Sequence, residues 1–85
     1  MSEASATVEI VNKRGLHARA SAKFVNLVAT LPDLLRITVA KDGMEASGGS
    51  ILGLMMLGAA RGNSIEISVS GEGADDALTQ LAGLV

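Results

Sequence analysis

Four short segments of this chain alternate apolar and polar residues, and this period of two constrains the fold more than any other feature. The alternating segments are Ala6 to Val11, Leu35 to Val39, Met44 to Ser47 and Ser64 to Ser70. Such alternation predicts β-strands with one face buried and the other in water. The dipeptide Asp42-Gly43 predicts a tight hairpin turn between the second and third strands.

Three other segments are predicted to be helices, and the first and third of them have the period of an amphipathic helix. The first begins near Ala18 and ends before Pro32, because proline disfavours helical geometry in the residue that precedes it. Its apolar stripe consists of Phe24, Leu27, Val28 and Leu31. A short second helix follows Ser50, its predicted N-cap. The third begins near Ala74, and its stripe consists of Ala74, Ala77, Leu78, Leu81, Leu84 and Val85.

The predicted element order is β-α-β-β-α-β-α. Strands with one wet face, together with three helices that each have one apolar stripe, predict an α+β fold of two layers. This is an open-faced β-sandwich, in which a four-stranded antiparallel sheet is covered on one face by three helices. The 85 residues are enough for one domain, 1–85. We expect residues 1–5 to be flexible.

The composition argues against several classes of protein. The chain has no cysteine and a single histidine, so we expect neither disulfides, nor a common zinc site, nor a cofactor. The net charge of −2 and the absence of Trp and Tyr argue against nucleic-acid binding. The longest apolar run, Ile51 to Ala60, is too short for a membrane span of about 20 residues. The first residues do not resemble a signal peptide, and we expect a cytoplasmic protein.

Residues 13–23 gather positive charge around the only histidine, His17. Four of the seven Lys and Arg residues lie there, namely Lys13, Arg14, Arg19 and Lys23. A neutral imidazole can carry a phosphoryl group, a helix N-terminus attracts anions, and Arg19 can donate to phosphate oxygens. His17 is therefore a candidate phosphoryl acceptor. A histidine that only caps a helix on a basic surface explains the residue types equally well.

The short second helix is apolar on all sides, although a two-layer fold must expose one side of it to water. Its apolar residues include Ile51, Leu52, Met55 and Met56, which cannot all be buried. An exposed apolar surface favours a docking patch, and methionine suits a surface that adapts to different partners. The alternative is that Met55 and Met56 fill gaps in the core, and we expect this of one of the two. Ser50, beside this patch, is also accessible to a kinase.

These two stretches resemble HPr, the histidine phosphocarrier family of the phosphoenolpyruvate-dependent phosphotransferase system. The resemblance lies in Asn12 to Val25, which is similar to the active-site motif, and in Gly49 to Gly62, which is similar to the regulatory-serine segment. It covers about Ala6 to Val85, with the same element order. It implies an HPr-like fold and a carrier in a relay rather than an independent enzyme. A relay protein of this size need only be a monomer.

The resemblance also implies roles for individual residues. His17 would accept a phosphoryl group on Nδ1 from phosphorylated enzyme I and pass it to a histidine of an enzyme IIA protein, while Arg19 steadies the group. Ser50 matches the serine that an ATP-dependent HPr kinase/phosphorylase modifies in some lineages. The implied partner surface consists of Leu16, Ala18, Ala20, Lys23, Ile51, Leu52, Met55 and Met56.

Two departures from the family pattern leave alternatives open. Ala20 stands where most relatives have proline, and we expect this change to tune the site without abolishing it. The 51–56 helix lacks the polar positions of some sugar-transport members, so a nitrogen-regulatory carrier of the NPr type is an alternative to a sugar-transport HPr.

An interaction module that binds through 51–56 without phosphorylation is the rival from another class. A hydrolase using Ser50 is a remote third, because Ser50 lacks the second glycine of a nucleophile elbow.

Overall fold

The computed structural model describes residues 3–11, 15 and 17–85. Within them the chain forms the predicted order of strands and helices, which is thereby confirmed. The elements are β1 (Glu3–Glu9), α1 (Ala18–Thr30), β2 (Arg36–Lys41), β3 (Met44–Ser47), α2 (Ile51–Met56), β4 (Ser64–Ser70) and α3 (Ala74–Leu84). None of these helices is long and apolar enough to cross a membrane.

The four strands form one antiparallel sheet in the order β1-β4-β2-β3. Ile67 of β4 is paired with Ala6 of β1 on one side and with Val39 of β2 on the other. Ile67 and Val39 are buried against the helices, and Ala6 is half-buried on the same face of the sheet. The opposite face is polar. A row of hydroxyl side chains crosses it through Ser5, Ser68, Thr38 and Ser47. The strand alternation predicted from the sequence therefore separates a core face from a wet face.

The three helices cover the apolar face and meet the sheet in an aliphatic core. Each helix contributes a large buried apolar side chain, Phe24 from α1, Leu54 from α2 and Leu81 from α3. They belong to one cluster with Val39 and Ile67 of the sheet. Removing these side chains from water supplies the main stabilisation of such a fold. The predicted two-layer α+β architecture is confirmed.

The predicted hairpin turn is also present. Asp42 and Gly43 both have positive φ values, 52° and 84°, as the primed two-residue turns between twisted strands require.

Two predictions of element boundaries and burial are wrong. β1 begins at Glu3 and not near Ala6, because Glu3, Ala4 and Ser5 pair with the end of β4. The expected flexibility of residues 1–5 stays a prediction. Leu84, predicted to lie in the buried stripe of α3, is 42% exposed because it lines an open pocket beside His17.

Candidate functional site

His17 is the N-cap of α1. Its backbone is extended, with φ −78° and ψ −177°, and its carbonyl oxygen accepts the Ser21 N–H at 2.9 Å. The side-chain Nδ1 accepts the Arg19 N–H at 3.1 Å. A ring nitrogen that accepts a hydrogen bond has no proton, so the neutral imidazole has its proton on Nε2. The half-buried ring therefore holds an unprotonated nitrogen at the positive end of the helix dipole.

The surroundings of His17 favour an anion. A shallow pocket of about 600 Å³ opens beside the imidazole, and its lining consists of Ile10, Gly15, His17, Ala18, Arg19, Ala20, Lys23, Phe24, Leu84 and Val85. Arg19 and Lys23 lie one turn apart on the exposed face of α1. Among the described residues the only ion pair joins Lys41 to Asp42, so neither cation of the pocket is neutralised by a described carboxylate.

The loop that leads to His17 is attached to the turn before β4. At the end of β1, the Ile10 N–H donates to the Asn63 carbonyl at 2.8 Å, and the Ile10 carbonyl accepts the Gly62 N–H at 2.9 Å. Ile10 itself is 1% exposed. The entrance to the loop is therefore fixed both by hydrogen bonds and by the core.

The apolar surface predicted on α2 is exposed. Ile51, Leu52, Met55 and Met56 are between 41% and 68% exposed, and we call these four residues the α2 patch. Leu54, on the other side of the helix, is fully buried. The prediction that the four residues cannot all be buried is thus confirmed, and the alternative that one methionine fills the core is wrong. Because α2 packs against α1, the patch belongs to the same side of the molecule as the His17 helix.

Ser50 is the N-cap of α2, as predicted. Its Oγ accepts the Gly53 N–H at 3.0 Å, and its backbone is extended, with φ −113° and ψ 110°. The side chain is half-buried and directly precedes Ile51 of the α2 patch. A change of charge at Ser50 would therefore change the electrostatic potential at the edge of the α2 patch.

A family model described as the phosphorylation site of the PTS HPr component matches residues 4–85 of this chain. The chain belongs to the HPr family. The phosphocarrier protein HPr of Neisseria meningitidis serogroup A is 40% identical over 79 residues, which is 93% of this chain and 86% of that relative. The phosphocarrier protein NPr of Shewanella violacea is 38% identical over 85 residues, 100% of this chain and 91% of the relative.

The solved structures agree with this assignment. The crystal structure of HPr from Bacillus anthracis has a TM-score of 0.91 and 33% sequence identity, with 100% of this chain and 99% of that chain covered. The predicted family and the HPr-like fold are therefore confirmed. Membership brings with it the general role of a phosphocarrier.

The pocket collects five of the eleven residues that the HPr resemblance assigned to the site. His17, Ala18, Arg19, Ala20 and Lys23 all line it, whereas the α2 patch lies on a neighbouring helix. Leu16, predicted to contact partners, lies outside the described residues. The roles of these residues remain predictions.

Some residues of the site escaped the sequence analysis. The end of α3 contributes Leu84 and Val85 to the pocket, although they are far from His17 in sequence. Their apolar character predicted that they are buried between α3 and the sheet. No local pattern in the sequence distinguishes a residue that lines an open pocket from a core residue.

Proposed function

We propose that His17 carries the phosphoryl group, accepting it from phosphorylated enzyme I and passing it to a histidine of an enzyme IIA protein. The observation that carries this proposal is the position of the His17 Nδ1, held at the N-terminus of α1 by the Arg19 N–H at 3.1 Å. Unpaired N–H groups and the dipole at such a helix end stabilise negative charge. The family supplies the carrier role, and the geometry favours this atom as the one that carries the group.

Transfer requires the lone pair that Nδ1 now uses in this hydrogen bond. The lone pair forms a bond to phosphorus, while the bond between phosphorus and its donor atom breaks with its electron pair leaving on the donor. The Arg19 N–H must therefore release Nδ1 before the new bond forms. Once released, this N–H can donate to a phosphoryl oxygen, so its hydrogen bond changes partner instead of being lost.

The side chains of Arg19 and Lys23 complete the environment of the group. Both are exposed and line the pocket beside His17. A guanidinium group can donate two parallel hydrogen bonds to phosphate oxygens, and Lys23 adds a second positive charge. Phosphoryl transfer depends mostly on positioning and on charge stabilisation, so these groups suffice without a metal or a cofactor on this chain.

The donor and the acceptor would dock on the same surface. Both must reach one atom, Nδ1 of His17, so the carrier can meet only one of them at a time. The surface would combine the residues around the pocket, Leu16, Ala18, Ala20 and Lys23, with the α2 patch. It combines apolar side chains with the cations Arg19 and Lys23, which favours partners that present both apolar side chains and carboxylates. A monomer is sufficient for this exchange.

Ser50 would regulate docking if a kinase modifies it. A phosphate adds a charge of about −1.5 to −2 at pH 7 and can replace the hydroxyl as acceptor of the Gly53 N–H. The helix would keep its cap, while the edge of the α2 patch would become negative. Ser50→Glu should therefore weaken binding to enzyme I in calorimetric titrations. Ser5→Glu, with the same charge on the opposite face of the sheet, is the control, and equal affinities for the two variants would contradict this regulation.

Intact-mass spectrometry tests the carrier proposal. The protein is incubated with enzyme I and phosphoenolpyruvate, with and without subsequent acid treatment. We expect one phosphoryl group that is labile in acid and absent from His17→Ala. An active, cognate enzyme I that leaves the mass unchanged would contradict the proposal and favour the rival, an interaction module that binds through the α2 patch without phosphorylation. Transfer from the loaded carrier to purified sugar-specific and nitrogen-regulatory IIA proteins separates an HPr-type from an NPr-type carrier.

A further inference from the structure

The turn formed by residues 59–63 lies directly under the loop that carries His17. It joins the end of α2 to the start of β4, and it holds the entrance of the loop through two hydrogen bonds with Ile10, at 2.8 and 2.9 Å. The loop meets the same turn again near its exit, at Gly15. The 59–63 turn therefore contacts the chain at two points that precede His17, Ile10 and Gly15.

At Gly15 the two backbones are too close for any side chain. A Cβ atom added to Gly15 would lie 2.3 Å from the Ala59 carbonyl oxygen and 2.7 Å from the Ala60 Cα. Ordinary van der Waals contact begins at 3.4 Å, and the neighbours are backbone atoms that cannot rotate away. Gly15 also has a φ of +65°, in the left-handed region. An alanine at this position would lift the loop from the turn by about 1 Å, the difference between 3.4 and 2.3 Å.

The turn itself is held by Asn63. The Asn63 side-chain Oδ1 accepts the Ala60 N–H at 2.9 Å, and the Asn63 backbone N–H donates to the Ala60 carbonyl at 2.9 Å. Ala59, next to this pair of bonds, is buried. The backbone that Gly15 contacts is therefore held by the burial of Ala59 in the core and by the two hydrogen bonds between Asn63 and Ala60.

We infer that the 59–63 turn positions His17, and that Gly15 and Asn63 are positioning residues for phosphoryl transfer. Gly15 precedes His17 by two residues, so a displacement at Gly15 moves the imidazole relative to the Arg19 N–H and the docked partner. This inference rests on the proposed function of His17. Neither residue touches the phosphoryl group, and each acts by fixing the place from which Nδ1 attacks.

Gly15→Ala tests the inference, with Gly58→Ala as the matched control. Gly58 has the same φ of +65°, but a Cβ atom there meets nothing within 4 Å. Both variants therefore bear the same left-handed strain, and only one displaces the loop. A misplacement of about 1 Å can reduce a reaction rate as much as 100-fold, so we expect kcat for acceptance from enzyme I to fall about 10- to 100-fold in Gly15→Ala. The KM for enzyme I should change much less than kcat, since the α2 patch is intact.

A second readout separates positioning from a loss of stability. The amide resonance of Arg19, whose N–H is bonded to His17 Nδ1, should shift in Gly15→Ala and remain in place in Gly58→Ala. Equal kcat values and equal Arg19 resonances for the two variants would overturn the inference. A wild-type protein that accepts no phosphoryl group would instead overturn the proposed function, so the two failures are distinguishable.

If Gly15→Ala does not fold, Asn63 provides the same test from the other side of the contact. Asn63→Ala removes the acceptor for the Ala60 N–H, whereas Asn63→Asp retains an acceptor oxygen. We expect Asn63→Ala to lower kcat about tenfold or more and Asn63→Asp to restore most of it. A wild-type kcat for a folded Asn63→Ala would overturn the inference.

Discussion

Replacing Leu52 with alanine measures how much affinity a partner gains from the α2 patch. The Leu52 side chain is 68% exposed in the free protein. Burying a whole leucine side chain stabilises a complex by about 1.5–3 kcal/mol, so covering this exposed part contributes about 1–2 kcal/mol. Each 1.4 kcal/mol corresponds to a factor of about ten in Kd. The Kd for enzyme I should therefore rise about 5- to 30-fold in Leu52→Ala.

Leu34 provides the control for this experiment. It is 92% exposed in the turn between α1 and β2, so Leu34→Ala removes the same atoms from a surface that no proposed partner covers. Leu34 precedes Arg36, which pairs with Ser70, whereas the His17 loop is joined to Asn63, next to Ser64. The two positions thus lie near opposite ends of β4.

Isothermal titration of the unphosphorylated variants with enzyme I gives the two dissociation constants. Urea unfolding should give both variants a free energy of unfolding within about 0.5 kcal/mol of the wild type, because neither side chain is buried. A wild-type Kd for Leu52→Ala would refute docking through the α2 patch. An equal loss for Leu34→Ala would show that the effect is not specific to the patch.

Three further predictions follow from the same contacts. Arg19→Ala should slow acceptance of the phosphoryl group about 10- to 100-fold, because a charged hydrogen bond contributes about 1.5–3 kcal/mol. Arg36→Ala, on the wet face of the sheet, is the control and should leave the rate unchanged. Equal rates for the two variants would exclude a role for Arg19. Ser50→Ala should lower the free energy of unfolding in urea by about 1 kcal/mol, since the Gly53 N–H loses its acceptor, and an unchanged midpoint would contradict this account of the cap. Phe24→Ala should cost about 3–5 kcal/mol in the same assay, because Phe24 is only 2% exposed in the core, and a cost below about 1 kcal/mol would contradict that packing.

The features that the sequence predicted are those that depend on neighbouring residues. The strand Ser64–Ser70 follows from its own alternation, and the hairpin at Asp42-Gly43 from the positive φ that both residues adopt. The N-cap Ser50 follows from the preference of serine for that position, and the start of α1 at Ala18 follows from the change of period there. In each case the physical cause is contained within a few residues, so a local pattern is enough to predict it.

The features that the sequence did not predict depend on residues far apart in the chain. β1 begins at Glu3 because β4 is there to pair with it, and Leu84 is exposed because it faces the pocket of His17. Likewise, the sequence contains no local sign that Gly15 lies against Ala59. These are consequences of the packing of distant elements, which only the folded structure supplies.

Our main proposal is that Nδ1 of His17 carries the phosphoryl group at the N-terminus of α1. Phosphorus and nitrogen NMR of the phosphorylated, ¹⁵N-labelled protein distinguishes this atom from the alternatives. We expect coupling between phosphorus and Nδ1 of His17, together with a shift of the Arg19 amide as its N–H leaves Nδ1 for a phosphoryl oxygen. Phosphorus coupled to Nε2, or bonded to a side-chain oxygen with the Arg19 amide unmoved, would contradict it.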